Sequence, residues 1–254
     1  MRIIERALGI RRNVDIGPKK PIWALLLLIP APSIGVLANG FLAESDIAVY
    51  ALIGLAIWMI CKVWIVAFPA FWHRRFDQGE FGFSPLAEDS GLRPWLEGIL
   101  LGGALSAVLF VTFLAARPHI NLIEIGASIR EVGLDSWPKV IAAILFWVFI
   151  NSVVEEYVYR WFITNQAASI IGDYPIRVGS ISVAAFTLHH FVAVALVAPS
   201  LWIALLAAAA VAVGGAAFSF LYHRHSSIWP AWTCHAILDV VVFGGVAWIA
   251  LVAT

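Results

Sequence analysis

Asn151–Asn165 reads NSVVEEYVYRWFITN, and it lies in a stretch otherwise apolar enough to sit in a bilayer. Two adjacent acids, Glu155 and Glu156, and one base, Arg160, interrupt it. A charge at the centre of a membrane helix costs about 2.5–3.5 kcal/mol on insertion scales. Nothing in the packing of an apolar helix calls for three of them, so the segment marks a functional site inside a membrane protein.

The rest of the chain carries the same signal. Of 254 residues, 62% are hydrophobic and 13% charged, and mean hydropathy is +0.91. So little polar surface cannot cover a soluble globule. The expected class is all-α: a polytopic bundle of transmembrane helices, each about 20 residues long. The 16 basic and 16 acidic residues cancel, so no net field points to nucleic acid as a partner, and membrane lipids are the expected surroundings. Cys61 and Cys234 fall in apolar runs and read as small buried hydrophobes, not as a disulfide.

Outward from the charged stretch, the chain divides into an amino-terminal segment and a membrane domain. Residues 1–20 hold Arg2, Arg6, Arg11, Arg12, Lys19 and Lys20, with Ile3, Ile4, Leu8 and Ile10 spaced as on one helix face, an interfacial basic segment. A secretory signal competes with that reading, but the basic region is long and Pro30 and Pro32 interrupt the next apolar run. Residues 21–254 are expected to form a single transmembrane domain with its motif core at 155–239.

Spans are expected at about 22–38, 47–71, 95–116, 138–163, 178–197, 201–222 and 228–252. That makes seven, with an eighth if 117–137, which otherwise reads as a short surface-lying helix, dips into the membrane. Pro30 and Pro32 predict a kink or an early end to the first span. Lys62, alone in the second, reads as a snorkelling side chain or one that meets a polar neighbour. HRRFDQGEFGFSPLAEDSGLRP, 73–94, is a loop punctuated by glycine and proline. In the sixth span, ALLAAAAVAVGGAAFSF is rich in small residues that let helices approach closely in lipid. Six basic residues precede the first span and none lies between the first and second, which puts the amino terminus in the cytoplasm. The expected localisation is a prokaryotic cell membrane, as an integral multi-pass protein.

At about 1.5 Å per residue from the expected span ends, Glu155 lies about 12 Å deep, His190 about 18 Å and His235 about 10 Å. Three helices thus contribute ionisable groups to one broad layer. Adjacent helix positions point about 100° apart, so Glu155 and Glu156 are expected to face different surroundings. Glu156 and Arg160 are spaced i, i+4, acid first, which lets each lower the other's burial cost. That pairing leaves Glu155 for acid or base chemistry. His235 and Asp239 share the same spacing, so the carboxylate can orient the imidazole or both can share a substrate oxygen; a satisfied polar pair between helices is the bland alternative. His189 and His190 point apart, and spacing alone does not choose between them.

Taken in order, EEYVYR at 155–160, FTLHH at 186–190 and HAILD at 235–239 resemble the Glu-Glu-x-x-x-Arg, Phe-x-x-x-His and His-x-x-x-Asn/Asp motifs of the CPBP family. That family holds the type II CAAX prenyl endopeptidases and their bacteriocin-processing, Abi-like relatives. The resemblance implies an intramembrane endopeptidase and selects His190, because the pattern that starts at Phe186 ends there. It also implies that Glu155 and His190 activate water, that His235 and Asp239 hold the substrate carbonyl or its oxyanion, and that Glu156 and Arg160 support them. The family position often carries Asn where this chain has Asp239, which would have to hold its proton to act as a neutral donor.

The chemistry is sound without the name. Peptide hydrolysis needs a base for water, electrostatic help for the oxyanion and a proton for the leaving amine. Zinc is the other route: His190, His235 and Glu155 could bind a divalent metal with a position left open for water, although the chain lacks a His-Glu-x-x-His signature. Two further classes compete. One is a non-catalytic membrane scaffold or immunity protein that keeps the polar cluster for binding or helix registry. The other is a proton- or ion-coupled transporter using these residues as a relay. The leading expectation is an endopeptidase that cuts a membrane-bound peptide or protein from the cytoplasmic side, a prenylated CAAX tail being one candidate substrate.

Overall fold

In lipid every backbone N–H and C=O must find a partner within the protein, and apolar runs of this length answer with helices. The computed structural model describes residues 20–43, 45–79, 84, 86–87, 90–119, 121–131, 133–198 and 200–253. No strand occurs among them. In chain order the helices are α1 (Pro21–Ala43), α2 (Ala48–Asp77), α3 (Arg93–Ala116), α4 (Leu122–Glu131), α5 (Trp137–Ile171), α6 (Pro175–Val197), α7 (Leu201–His225) and α8 (Ile228–Leu251). All but α4 are long and apolar enough to cross a membrane, which gives the seven expected spans. At ten residues, α4 extends about 15 Å, half the hydrocarbon thickness, and adds no eighth crossing. The basic segment expected at 1–20 lies outside the described residues, apart from Lys20.

Proline shapes α1 without ending it. The helix is interrupted at Ile29, directly before Pro30, yet the Ile29 N–H still donates to Leu25 O at 2.9 Å. Helix resumes with Pro30 as its first residue, where a missing N–H is tolerated.

The chain falls into two compact units. Met1–Ala87 with Tyr157–Ile228 forms the first, which holds α1, α2, the latter part of α5, α6 and α7. Small residues bring its helices together: a Cβ on Gly54 would stand 2.7 Å from Ala38 O, and one on Gly215 would stand 3.2 Å from the Phe186 ring. Gly215 belongs to the small-residue run of α7, which packs as its composition predicts. The Trp64 indole donates to Leu27 O at 3.0 Å and the Tyr157 hydroxyl to Val66 O at 3.3 Å. Exposed Lys62 lies 5.7 Å from the centroid of the Trp58 ring. The expected 73–94 loop is shorter, since α2 runs on to Asp77 and α3 starts at Arg93; within it buried Ser84 accepts from the Ile228 N–H at 3.2 Å and, through its carbonyl, from the Ser227 hydroxyl at 2.8 Å. The loop is thereby tied to the turn that starts α8.

Glu88–Glu156 with Trp229–Thr254 forms the second unit, which holds α3, α4, the first part of α5 and nearly all of α8. Here Pro94, Gly98, Gly102 and Ser106, four residues apart, are the buried positions of α3. A Cβ on Gly98 would stand 2.6 Å from Pro230 O, and one on Gly102 3.0 Å from Cys234 O, so α3 and α8 meet nearly backbone to backbone. Arg130 donates to Ala250 O at 2.7 Å and the Arg117 guanidinium lies 5.6 Å from the Trp248 ring, so cations gather at the carboxyl end of α8, where the helix dipole favours them. Both cysteines are free.

The α-helical pattern of α5 loosens twice, at Trp147–Asn151 and Glu156–Ile163, where wider π turns replace it. The Ser152 N–H reaches back five residues to Trp147 O. Side chains then take up the displaced carbonyls. Val148 O accepts from the Ser152 hydroxyl at 2.6 Å and from the Trp232 indole at 2.9 Å. Tyr159 O accepts from the Thr164 hydroxyl at 3.2 Å and the Ser182 hydroxyl at 2.7 Å. Wide turns of this kind recur at functional sites. Glu155 stands between the two.

Candidate active site

Within the second unit, α5 and α8 bring three carboxylates to one imidazole. Glu156 Oε1 lies 2.8 Å from His235 Nδ1, Glu155 Oε2 lies 3.5 Å from His235 Nε2, and Asp239 Oδ1 lies 3.7 Å from the same Nε2. The first distance is a hydrogen bond and the other two are ion-pair contacts. An ionised carboxylate can only accept, so Nδ1 carries the proton it donates to Glu156. A neutral ring then keeps its lone pair at Nε2, and a protonated one aims an N–H between Glu155 and Asp239.

Burial separates the two sides of the ring. The Glu156 side chain is 0% exposed, whereas Glu155 and Asp239 retain 12% and 15%, which makes the Nε2 side the one a reactant can reach.

Of the candidates read from the sequence, the structure brings together Glu155, Glu156, His235 and Asp239. The i, i+4 contact between His235 and Asp239 is present, but it is the longest of the three. The two glutamates, expected to face different surroundings, converge on opposite nitrogens of one ring. The hydrogen bond from His235 to Glu156 was not legible from spacing, because it joins two helices 79 positions apart.

His190 and Arg160 belong to the first unit. His190 Nδ1 lies 2.9 Å from Phe186 O, and a carbonyl can only accept, so this nitrogen carries the proton and the neutral ring has its lone pair at Nε2. The Phe186 and His190 rings are 4.3 Å apart, and His189 stacks edge-on against His190 at 5.1 Å. Arg160 is fully buried, its guanidinium 4.3 Å from the Phe186 centroid and 5.0 Å from that of Phe218, with Nη2 donating to Gly215 O at 3.3 Å. Phe186 therefore touches both Arg160 and His190, which gives the aromatic of the Phe-x-x-x-His motif a physical task. Among the described residues, no three His, Cys, Asp or Glu side chains form a group that could hold a metal ion.

Seven helices long and apolar enough to cross a membrane define an integral membrane protein. Residues 137–241 match the family model described as type II CAAX prenyl endopeptidase Rce1-like, so an Rce1-like domain occupies this segment, in agreement with the three motifs. The matched residues run from the start of α5 into α8 and include all six candidate site residues. A domain of this family implies a protease of the membrane. Neither the curated proteins nor the solved structures compared with the chain give a match.

Proposed function

We propose that the chain is an intramembrane endopeptidase that hydrolyses a peptide bond of a membrane-associated peptide or protein, with a prenylated CAAX-type tail as the leading substrate class. The observation that carries the reading is the grip of two helices on His235: a buried carboxylate on Nδ1 and two partly exposed carboxylates beside Nε2. A merely structural polar pair needs one partner for the ring. Three acids, two of them on the accessible side, suit a site that handles protons.

In the proposed reaction Glu155, assisted by His190 as the motif pattern assigns, takes a proton from water. The oxygen attacks the scissile carbonyl carbon, and the carbonyl π electrons move onto oxygen. His235 through Nε2–H, and Asp239 in its protonated form, donate hydrogen bonds to that oxyanion. Collapse restores the carbonyl and breaks the C–N bond, and the proton held by Glu155 passes to the leaving amine. One water is consumed, and one acid and one amine are produced. Glu156 fixes the ring throughout by accepting from Nδ1–H, as the buried carboxylate does in Ser-His-Asp enzymes.

The amino terminus is assigned to the cytoplasm by the basic residues before α1, and a cytoplasmic approach of substrate goes with it. Mass spectrometry of membrane peptides from cells expressing the wild type against Glu155→Gln, each with and without a chelator, tests the reading. The expected result is a set of carboxyl-terminal fragments present only with the wild type, the chelator arms reporting whether a metal takes part. Identical peptide profiles from the two would overturn it.

A further inference from the structure

Among the bonds that tie α8 to α5 near the cluster, one involves a motif residue and another does not. His235 donates to Glu156, and three residues earlier on α8 the Trp232 indole donates to Val148 O at 2.9 Å. That carbonyl lies in the wide turn Trp147–Asn151, just before the short α-helical run Ser152–Glu155 that ends in the first acid. Val148 is buried, and the second donor to its carbonyl, the Ser152 hydroxyl, is local to α5. Trp232 is therefore the one of the two donors that relates the wide turn to another helix.

We infer that Trp232 is a positioning residue for the proposed hydrolysis, its indole N–H locking the wide turn of α5 to α8 so that Glu155 and Glu156 meet opposite nitrogens of His235. The reasoning is geometric. A helix rotates its side chains by about 100° per residue, so two adjacent acids reach one imidazole only if the rotation of α5 about its axis is held closely. One hydrogen bond at Glu156 leaves α5 able to roll about that point. A second bond, seven residues back from Glu155 and on the same helix as His235, removes that freedom. The indole ring is also braced, 5.8 Å from Trp229 and 6.2 Å from Phe149, so its N–H is aimed and not swinging.

The inference rests on the proposed endopeptidase reading for its effect on rate, but not for its effect on His235. Two substitutions remove the N–H: Trp232→Phe, and benzothienylalanine incorporated at position 232, which keeps the bicyclic shape and replaces the N–H by sulfur. The full-length protein in liposomes is assayed on a farnesylated CAAX peptide, and the ¹⁵N resonance of His235 Nδ1 is followed in detergent micelles with ¹⁵N-histidine label. Both variants should lose at least about tenfold in kcat with KM within about twofold, since a group that aligns reacting side chains acts on the transition state and not on binding. Both should also shift the His235 Nδ1 resonance away from its hydrogen-bonded position. Unchanged kcat with an active wild type overturns the inference, as does a loss of rate with an unmoved resonance. If the wild type cleaves no peptide, the endopeptidase reading is what fails, and the resonance decides alone: an unmoved signal overturns the positioning role and a shifted one upholds it.

Discussion

Glu156 Oε1 lies 2.8 Å from His235 Nδ1, a bond that links α5 to α8 where the glutamate is wholly buried. The pairing gives the second acid of the Glu-Glu motif a partner on another helix, which spacing along one helix does not reveal. It also divides the cluster into a closed side that orients the ring and an open side, with Glu155 and Asp239, where reaction would take place.

Removing that bond should be felt in the fold as well as in the rate. Glu156→Ala leaves the buried Nδ1–H of His235 without its acceptor, at a cost of about 1–3 kcal/mol. Thermal melting of the purified protein in detergent should show a clear drop, whereas Glu155→Gln, altered on the partly exposed side, should melt close to the wild type. Equal melting of Glu156→Ala and wild type would contradict the assigned role.

Asp239 offers a test of protonation by substitution. If it serves as a neutral donor, Asp239→Asn keeps a donor of the same shape and should retain activity within about tenfold, while Asp239→Ala should lose about 10²–10³ in kcat, the usual cost of an oxyanion donor. Peptidase rates of the two variants decide it; an inactive Asn variant beside an active Ala variant would reverse the assignment.

Arg160 is held by shape as much as by charge. A planar guanidinium can lie 4.3 Å from the Phe186 ring and 5.0 Å from Phe218 while donating to Gly215 O; an ammonium cannot stack in the same way. Arg160→Lys should therefore lower stability by about 0.5–2 kcal/mol in the detergent melt. Wild-type melting would show that charge alone suffices.

Close backbone approach in α3 makes a paired prediction. Gly98→Ala would set a Cβ 2.6 Å from Pro230 O and force α3 away from α8, whereas Gly103→Ala meets nothing within 4 Å. The first should destabilise by about 1–3 kcal/mol, and the second should be neutral. Matching melts for both would place the α3–α8 contact elsewhere.

The seven crossings were legible because length and hydropathy alone settle which runs can span lipid. Their ends were not. Thr164–Ile171, TNQAASII, continues α5 as helix, eight residues beyond the expected end. Counted from Ile171, Glu155 would lie about 24 Å along the helix and His235 about 10 Å from Ile228, yet the two are 3.5 Å apart. Helix ends are therefore poor markers of depth. Chemistry was legible where residues of one helix speak for themselves, as in His235 with Asp239. It was hidden where helices meet: spacing cannot show Glu156 turning to His235, nor Trp232 reaching Val148. The GxxxGxxxS pattern at Gly98, Gly102 and Ser106 was in plain view, and it marked the α3–α8 contact that hydrophobicity alone passed over.

The central claim is that Glu155 is the base of a peptide hydrolysis carried out in the membrane. The most direct test reconstitutes the full chain in liposomes with a farnesylated CAAX peptide and compares wild type, Glu155→Gln and His190→Ala for release of the terminal fragment. Cleavage by the wild type, with a fall of at least about 10²-fold in both variants and unchanged melting, is the predicted result. Undiminished cleavage by Glu155→Gln would contradict the account.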